Sequence, residues 1–272
     1  MLFDEVAAAY DRVRPGYPAR MYADLVELSG VGPDARVLEV GCGPGQATRD
    51  LLARGWRVHA VEPGAALAER AVANAAGRPF DVDVTTFDEW DPAGRTFDML
   101  FSATAYHWVA PDVRWQRAAA VLEPGATLAL ATNRTVAGGS FHDVYAASED
   151  LHRRHAPEVT FGLSPAADTI LGEVRAGAHD IGAVWHAAEP KSGSSLAGGL
   201  FGPPELRWYE WEQTYSSADA VLLLSTYSPY LAVPAARRDL LFDGVRDVIE
   251  TRFGGSVVRR YLAVLAVAPR LS

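Results

Sequence analysis

The stretch Val37-Leu38-Glu39-Val40-Gly41-Cys42-Gly43-Pro44-Gly45 decides how this chain is read. A run of strand length, Arg36–Val40, enters a glycine-rich turn, and a helical segment, Gln46–Arg54, follows with Gly55 at its expected cap. Glycines allow a tight turn and close approach of backbone to a ligand. The next helix then aims its N-terminus at that ligand. In an open sheet, small molecules bind where strand carboxyl ends meet such turns.

Working outward, strand-like runs at Arg57–Val61, Val82–Thr85, Phe97–Ser102 and Ala126–Asn133 alternate with helical segments at Ala65–Ala76 and Asp112–Leu122. Asp112 is placed to cap its helix, and Glu123-Pro124-Gly125 reads as the turn into the fifth strand. Upstream, Tyr10, Arg14, Pro15, Tyr17 and Pro18 make an aromatic, proline-stiffened segment before a helix near Arg20–Leu28. After Asn133 the alternation breaks. Residues 136–204 read as an inserted, mainly helical lobe, with a helical piece near Asp143–His155 and a Gly/Ser/Pro-rich loop, Lys191–Pro204. A strand at Leu206–Thr214, helices at Ala218–Thr226 and Ala235–Thr251, and an apolar strand at Val257–Ala268 complete the chain. That last strand is expected to be buried on both faces. The pattern predicts an α/β fold with helices on both faces of a mostly parallel sheet. Its expected divisions are a core at 1–135, the lobe at 136–204 and a completion of the core at 205–272.

The 272 residues, 49% of them hydrophobic, suffice for a large core plus a lobe and exclude wholesale disorder. Lys and Arg number 25 against 34 Asp and Glu, a net charge of −9 that argues against nucleic acid as a partner. A single cysteine, Cys42, excludes an internal disulfide and a cysteine-rich zinc site. The acidic start, Met1 to Glu5, does not suit a signal peptide. No apolar run approaches the roughly 18 residues of a spanning helix. These features lead us to expect a cytoplasmic protein with no membrane partner; nothing marks an oligomer interface.

The chemistry of the turn follows from its acids. The spacing Gly41-x-Gly43-x-Gly45 differs from the G-x-G-x-x-G of dinucleotide enzymes. Glu39, just before the turn, would repel a pyrophosphate and suits a cationic ligand. Glu62 ends the second strand, beside Pro63, where a carboxylate accepts hydrogen bonds from two ribose hydroxyls. Thr86 and Phe87 follow the third strand, at a further edge of such a pocket.

The runs VLEVGCGPGQAT, AVEPG and TFDMLFSATAYHWV, together with the opening FDEVAAAYDRVRPGYP, resemble the class I S-adenosylmethionine (SAM)-dependent methyltransferases. Within them the chain is similar to the small-molecule branch related to trans-aconitate and ubiquinone-type enzymes. The resemblance covers residues 3–133 and implies a Rossmann-like three-layer sandwich on seven strands, six parallel and one antiparallel near the edge. It further implies SAM as cofactor and S-adenosylhomocysteine (SAH) as product. Gly41, Cys42 and Gly43 would line the methionine part, with Glu39 near its ammonium group. Glu62 would hold the ribose, and Thr86 and Phe87 would frame adenine. Ser102 and Ala103 would lie beneath the sulfonium, and Tyr10 and Arg14 would close over the cofactor. The acidic residue that the family often carries before the adenine contact is replaced here by Thr85 and Thr86.

Methyl transfer is an in-line displacement, so alignment and exclusion of water do most of the work. His107 is the candidate base, needed only where the acceptor must lose a proton. Tyr106 and Trp108 beside it, with Tyr17, Asn133, Trp211 and Tyr227, are candidates to line the acceptor pocket. The expected partner is a small, partly apolar metabolite. Two rivals stand: a module that binds SAM or SAH without turnover, and an NAD(P)-dependent oxidoreductase, which the glycine spacing and Glu39 oppose. His152 and His155 share a helical face, read as solvated rather than as metal ligands. Gly162-Leu163-Ser164-Pro165-Ala166 only loosely echoes a hydrolase nucleophile turn. Cys42 reads as a small buried filler.

Overall fold

A computed structural model describes residues 7–159, 164–193 and 195–272. The start of the leading segment, and Gly162-Leu163 of the hydrolase-like echo, lie outside these residues. Seven strands form one sheet: β1 (Arg36–Val40), β2 (Arg57–Val61), β3 (Phe80–Asp83), β4 (Phe97–Ala103), β5 (Leu122–Thr135), β6 (Glu205–Ser216) and β7 (Ser256–Pro269). Their spatial order is β3-β2-β1-β4-β5-β7-β6. Strands β1 to β5 pair in parallel, with Val40 opposite Val61 and Glu39 opposite Phe101. Hydrogen bonds from Gly125 N to Arg270 O and from Val136 N to Arg260 O make β7 antiparallel to β5. The bonds Gly202 N to Pro269 O and Ser217 N to Gly255 O bracket β6, which therefore runs against β7 and with the other five. This is the expected doubly wound α/β sheet. Chain order reverses direction between β1 and β4, which makes their carboxyl ends the switch point for ligand binding.

The described residues also form helices α1 (Ala7–Val13), α2 (Ala19–Ser29), α3 (Gln46–Leu52), α4 (Ala65–Ala75), α5 (Arg114–Ala120), α6 (Ser140–Ala147), α7 (Glu149–His155), α8 (Ala167–Ala176), α9 (Ile181–Ala188), α10 (Ser217–Ser225), α11 (Ser228–Leu231) and α12 (Ala235–Arg252). Two compact units result. The larger takes residues 16–134, 168–209 and 262–272; the smaller takes residues up to 15, 135–167 and 210–261. Neither follows the three expected segments, because the lobe divides at 167/168. In the larger unit, Val37, Val58, Met99, Phe101, Ala129 and Leu265 on the strands bury one face against Met21 and Leu25 of α2 and Leu51 of α3. Burying a side chain of this size contributes about 1.5–3 kcal/mol. The smaller unit has its own core, with Phe141, Val144, Tyr215, Leu223, Leu241, Val245 and Tyr261.

Four local expectations need correction. β3 lies two residues earlier than Val82–Thr85, because Val58 pairs with Phe80 and Val84 is exposed. Asp112 does not cap α5; the helix starts at Arg114, behind Val113. The Glu123–Gly125 turn is an irregularity within β5, where the ladder shifts between Phe97 and Met99. His152 belongs to a core, not a solvated face: its Nδ1 lies 2.9 Å from Ser148 O and its Nε2 3.2 Å from the Tyr230 hydroxyl. Among the described residues no His, Cys, Asp and Glu cluster suits a metal ion, and no helix is long and apolar enough to cross a membrane.

Asp180 fastens the lobe residues of the larger unit. Its Oδ1 accepts from Gly182 N (2.7 Å), Ala183 N (3.2 Å) and Ala197 N (3.0 Å), capping α9 and anchoring the following loop. Asp180→Ala is expected to cost about 1–2 kcal/mol, read as a lower midpoint at unchanged slope in urea denaturation.

Candidate active site

The carboxyl ends of β1 and β2 meet through their loops. Gly41 N donates to Val61 O at 2.8 Å. The Glu62 carboxylate accepts from Gly43 N and from Gly64 N, both at 2.9 Å, and so bridges the two loops. Gly41 and Gly43 both have positive φ, 74° and 54°, yet for different reasons. A Cβ built at Gly41 would overlap Ala105 Cβ, so packing of the loop after β4 demands glycine there. A Cβ at Gly43 would meet nothing within 4 Å. Packing therefore leaves open space beside Gly43.

Glu39 is 1% exposed, and its Oε2 accepts from Thr48 Oγ1 of α3 at 2.6 Å. Burial raises its pKa to about 7; the Thr48 bond opposes this, and the nearby Glu62 adds to it. An unfolded glutamate ionises near 4.5, so ionising Glu39 between there and about 7 costs the folded state stability as pH rises. A cation placed beside it removes that cost. Two carboxylates with no basic side chain in the loop make a poor phosphate cradle and a good seat for positive charge. Cys42 is buried against Ala60 and Ala71, its thiol pKa pushed up by burial and the two glutamates, as suits a filler.

The remaining candidates divide between the units. Ser102 is fully buried and donates to Val40 O at 2.7 Å, tying β4 to β1 with no free face, while Ala103 next to it is half-buried. Pro63 and Thr86 are half-buried, and Thr86 Oγ1 lies 3.2 Å from Glu89. Phe87 is a core aromatic: its ring stacks on Trp90 at 6.2 Å, and its carbonyl accepts from Arg117 Nε at 2.7 Å. Tyr106 is fully buried too, its hydroxyl donating to Arg114 O at 2.7 Å, which leaves it no face for an acceptor. His107 and Trp108 sit with it on a short 3-10 turn, Tyr106–Trp108, packed against Pro190–Ser192. Trp108 is 69% exposed. Burial, with Lys191 and Arg114 nearby, pulls the His107 pKa down to about 4, and its Nδ1 is buried without a partner. Tyr17 hydrogen-bonds Thr104, just past β4, and Asn133 Nδ2 donates to Gly16 O at 3.0 Å. The leading segment is thus stapled to the ends of β4 and β5. Tyr10, Arg14, Trp211 and Tyr227 belong to the smaller unit.

Two polar groups were not visible in the sequence. Thr48 partners Glu39 from one turn inside α3. Glu189, after α9, is buried with its Oε2 3.4 Å from Thr132 Oγ1 at the end of β5; burial raises its pKa against Arg134 and Lys191. A cavity of about 320 Å³ lies elsewhere, at the amino ends of β1, β2 and β4, lined by Arg36, Arg57, His59 and Arg95. It is at the wrong end of the sheet for ligand chemistry, and Asp98 pairs Arg36 while Asp83 pairs His59 and Arg95.

This topology with an acid-flanked glycine loop defines the class I methyltransferase fold. Residues 37–125 match the family model described as a methyltransferase domain. An uncharacterized methyltransferase of Mycobacterium tuberculosis is 33% identical over 132 residues, 48% of this chain and 51% of that one. Trans-aconitate 2-methyltransferase of the same species is 36% identical over 109 residues, 37% of this chain and 39% of that one. The chain thus spans about half the length, or less, of these curated relatives. A solved structure from Anaeromyxobacter dehalogenans, described as a candidate type II methyltransferase, superposes with a TM-score of 0.58 at 20% identity, covering 94% of this chain and 97% of that one. Residues 37–125 thus resemble a methyltransferase domain, and the chain has the fold of the class I methyltransferases.

The two glycines are separable by experiment. Gly41→Ala should cost about 3 kcal/mol from overlap plus left-handed strain. Gly43→Ala should cost only about 1 kcal/mol, from backbone strain alone. Equal losses in chemical denaturation would contradict the assignment of open space to Gly43.

Proposed function

We propose that the protein transfers a methyl group from SAM to a small, partly apolar metabolite. The arrangement that carries this reading is the open space over Gly43, bordered by the buried carboxylates of Glu39 and Glu62. When bound, SAM supplies a methyl group already activated by its sulfonium. The chain's own residues then bind, orient and exclude water. Glu39 faces the ammonium group, the remaining lone pairs of Glu62 take the ribose hydroxyls, and Thr86 lies at the adenine edge. Tyr17 and Asn133, stapled at the ends of β4 and β5, border the acceptor side. His107, neutral above about pH 5, is the group able to take a proton there. The partial likeness to trans-aconitate 2-methyltransferase supports a small-molecule acceptor.

Calorimetric titration with SAH and NADH, followed by turnover with a metabolite panel, tests the reading. SAH should bind and NADH should not, and SAM should yield SAH only with an acceptor present. Binding without turnover across the panel would favour a sensor module instead. Glu62→Gln should weaken SAH at least tenfold. It is a cleaner probe than Glu62→Ala, which would also release Gly43 and Gly64.

Glu39 gives the binding a pH signature. Because burial keeps it protonated up to about 7, affinity for the cationic amino-acid end should rise with pH. The gain should be about tenfold between pH 5.5 and 7, with proton release on binding. Calorimetry in buffers of differing ionisation enthalpy reads this directly, and Glu39→Gln should flatten the profile.

A further inference from the structure

The smaller unit holds a largely enclosed arginine that, among the described residues, pairs with no carboxylate. Arg259 lies on β7, and its guanidinium carbon stands 4.4 Å from the ring centroid of Phe141, 5.5 Å from Tyr227 and 5.9 Å from Tyr261. The titratable groups facing it are Tyr227, Tyr145, Tyr261 and Tyr215. Among the described residues, no carboxylate pairs with it, and its Nη1 is buried without a hydrogen-bond partner. The next residue makes the contrast. Arg260, on the other face of the strand, pairs with Glu210 at 3.1 Å and Glu212 at 3.4 Å.

Burying a cation without a counter-charge is costly. Aromatic rings offset part of that cost through the faces of the guanidinium. Its N–H bonds lie in its plane, however, and need acceptors there. With Phe141 over one face, the in-plane N–H groups are the ones that would donate parallel bonds to a carboxylate. Arg14 adds to the local positive potential: its guanidinium carbon lies 4.3 Å from the Tyr227 centroid, with Nε and Nη2 donating to Thr226 Oγ1 (2.9 Å) and Thr226 O (2.8 Å). Tyr145, Tyr227 and Arg259 each keep some exposed surface, although the Arg259 Nη1 itself is buried.

We propose that Arg259 binds the carboxylate of a small organic acid whose flat apolar body lies against Tyr145, Tyr227 and Phe141. A single guanidinium fork matches a monoanion; a phosphate dianion would need further donors. This site lies wholly within the smaller unit, and the argument for it does not use the cofactor reading.

Calorimetric titration of the full chain with benzoate, and with benzamide as its uncharged isostere, tests the proposal. Benzoate should bind saturably and at least tenfold tighter than benzamide. Arg259→Lys keeps the charge but loses the fork, and should weaken benzoate at least tenfold. Arg259→Met should abolish the binding while circular dichroism stays native; should that variant fail to fold, the lysine variant decides. Absence of saturable benzoate binding, equal affinity for benzamide, or unchanged affinity in folded Arg259→Lys would each overturn the assignment.

Discussion

Two backbone amides, those of Gly43 and Gly64, converge on one carboxylate, that of Glu62. Hydrogen bonds from N–H groups to an ionised acceptor are among the stronger ones available to a protein. Here they hold the loop after β1 against the loop after β2, at the point where the sheet changes winding direction. Behind them Glu39 is sealed from water and steadied by Thr48. Two acids so close discourage each other's charge, an arrangement better suited to a positive centre than to a phosphate. The polarity of the site is therefore a property of the empty fold, set before any ligand arrives.

Much of this was legible in the sequence because it is written locally. β1 and β2 begin and end where alternating apolar residues said they would, and the acids at their ends are adjacent in sequence to the glycines they serve. β7 is buried from Tyr261 to Ala268, as its unbroken apolar run required. The errors arose where distant partners outweigh local preference. Val82 and Val84 suggested a later β3, but pairing with β2 set the register. α1 was hidden in a stretch whose tyrosines and prolines looked like a stiffened loop. Phe87 and Tyr106 were read as pocket walls, and their packing on Trp90, Trp115 and Trp185 was not legible locally. Glu189 and Arg259 carried no signal, since what makes each unusual is a neighbourhood drawn from segments far away in the chain.

The ends of β4 and β5 are built differently from the loops around Gly43. Around Gly43 the backbone supplies the contacts and the side chains are few and acidic. At the ends of β4 and β5 the contacts come from side chains reaching back to the leading segment, Tyr17 to Thr104 and Asn133 to Gly16. Thr104 keeps this geometry in spite of a left-handed backbone, φ 52°, with its amide fixed to Ala131 O at 2.8 Å. Strain of this kind persists only where surrounding bonds over-determine it. A shared backbone cradle beside a variable side-chain wall is what one fold needs to serve many substrates.

Each compact unit is assembled from three separate segments, and the chain passes from one to the other at residues 15/16, 134/135, 167/168, 209/210 and 261/262. No single cut releases either one, and neither is encoded by an uninterrupted stretch of gene. Swapping the smaller unit between relatives would require three grafts at once. Evolution of new specificity in this chain is thereby steered toward point changes on an inherited frame, away from the exchange of whole modules.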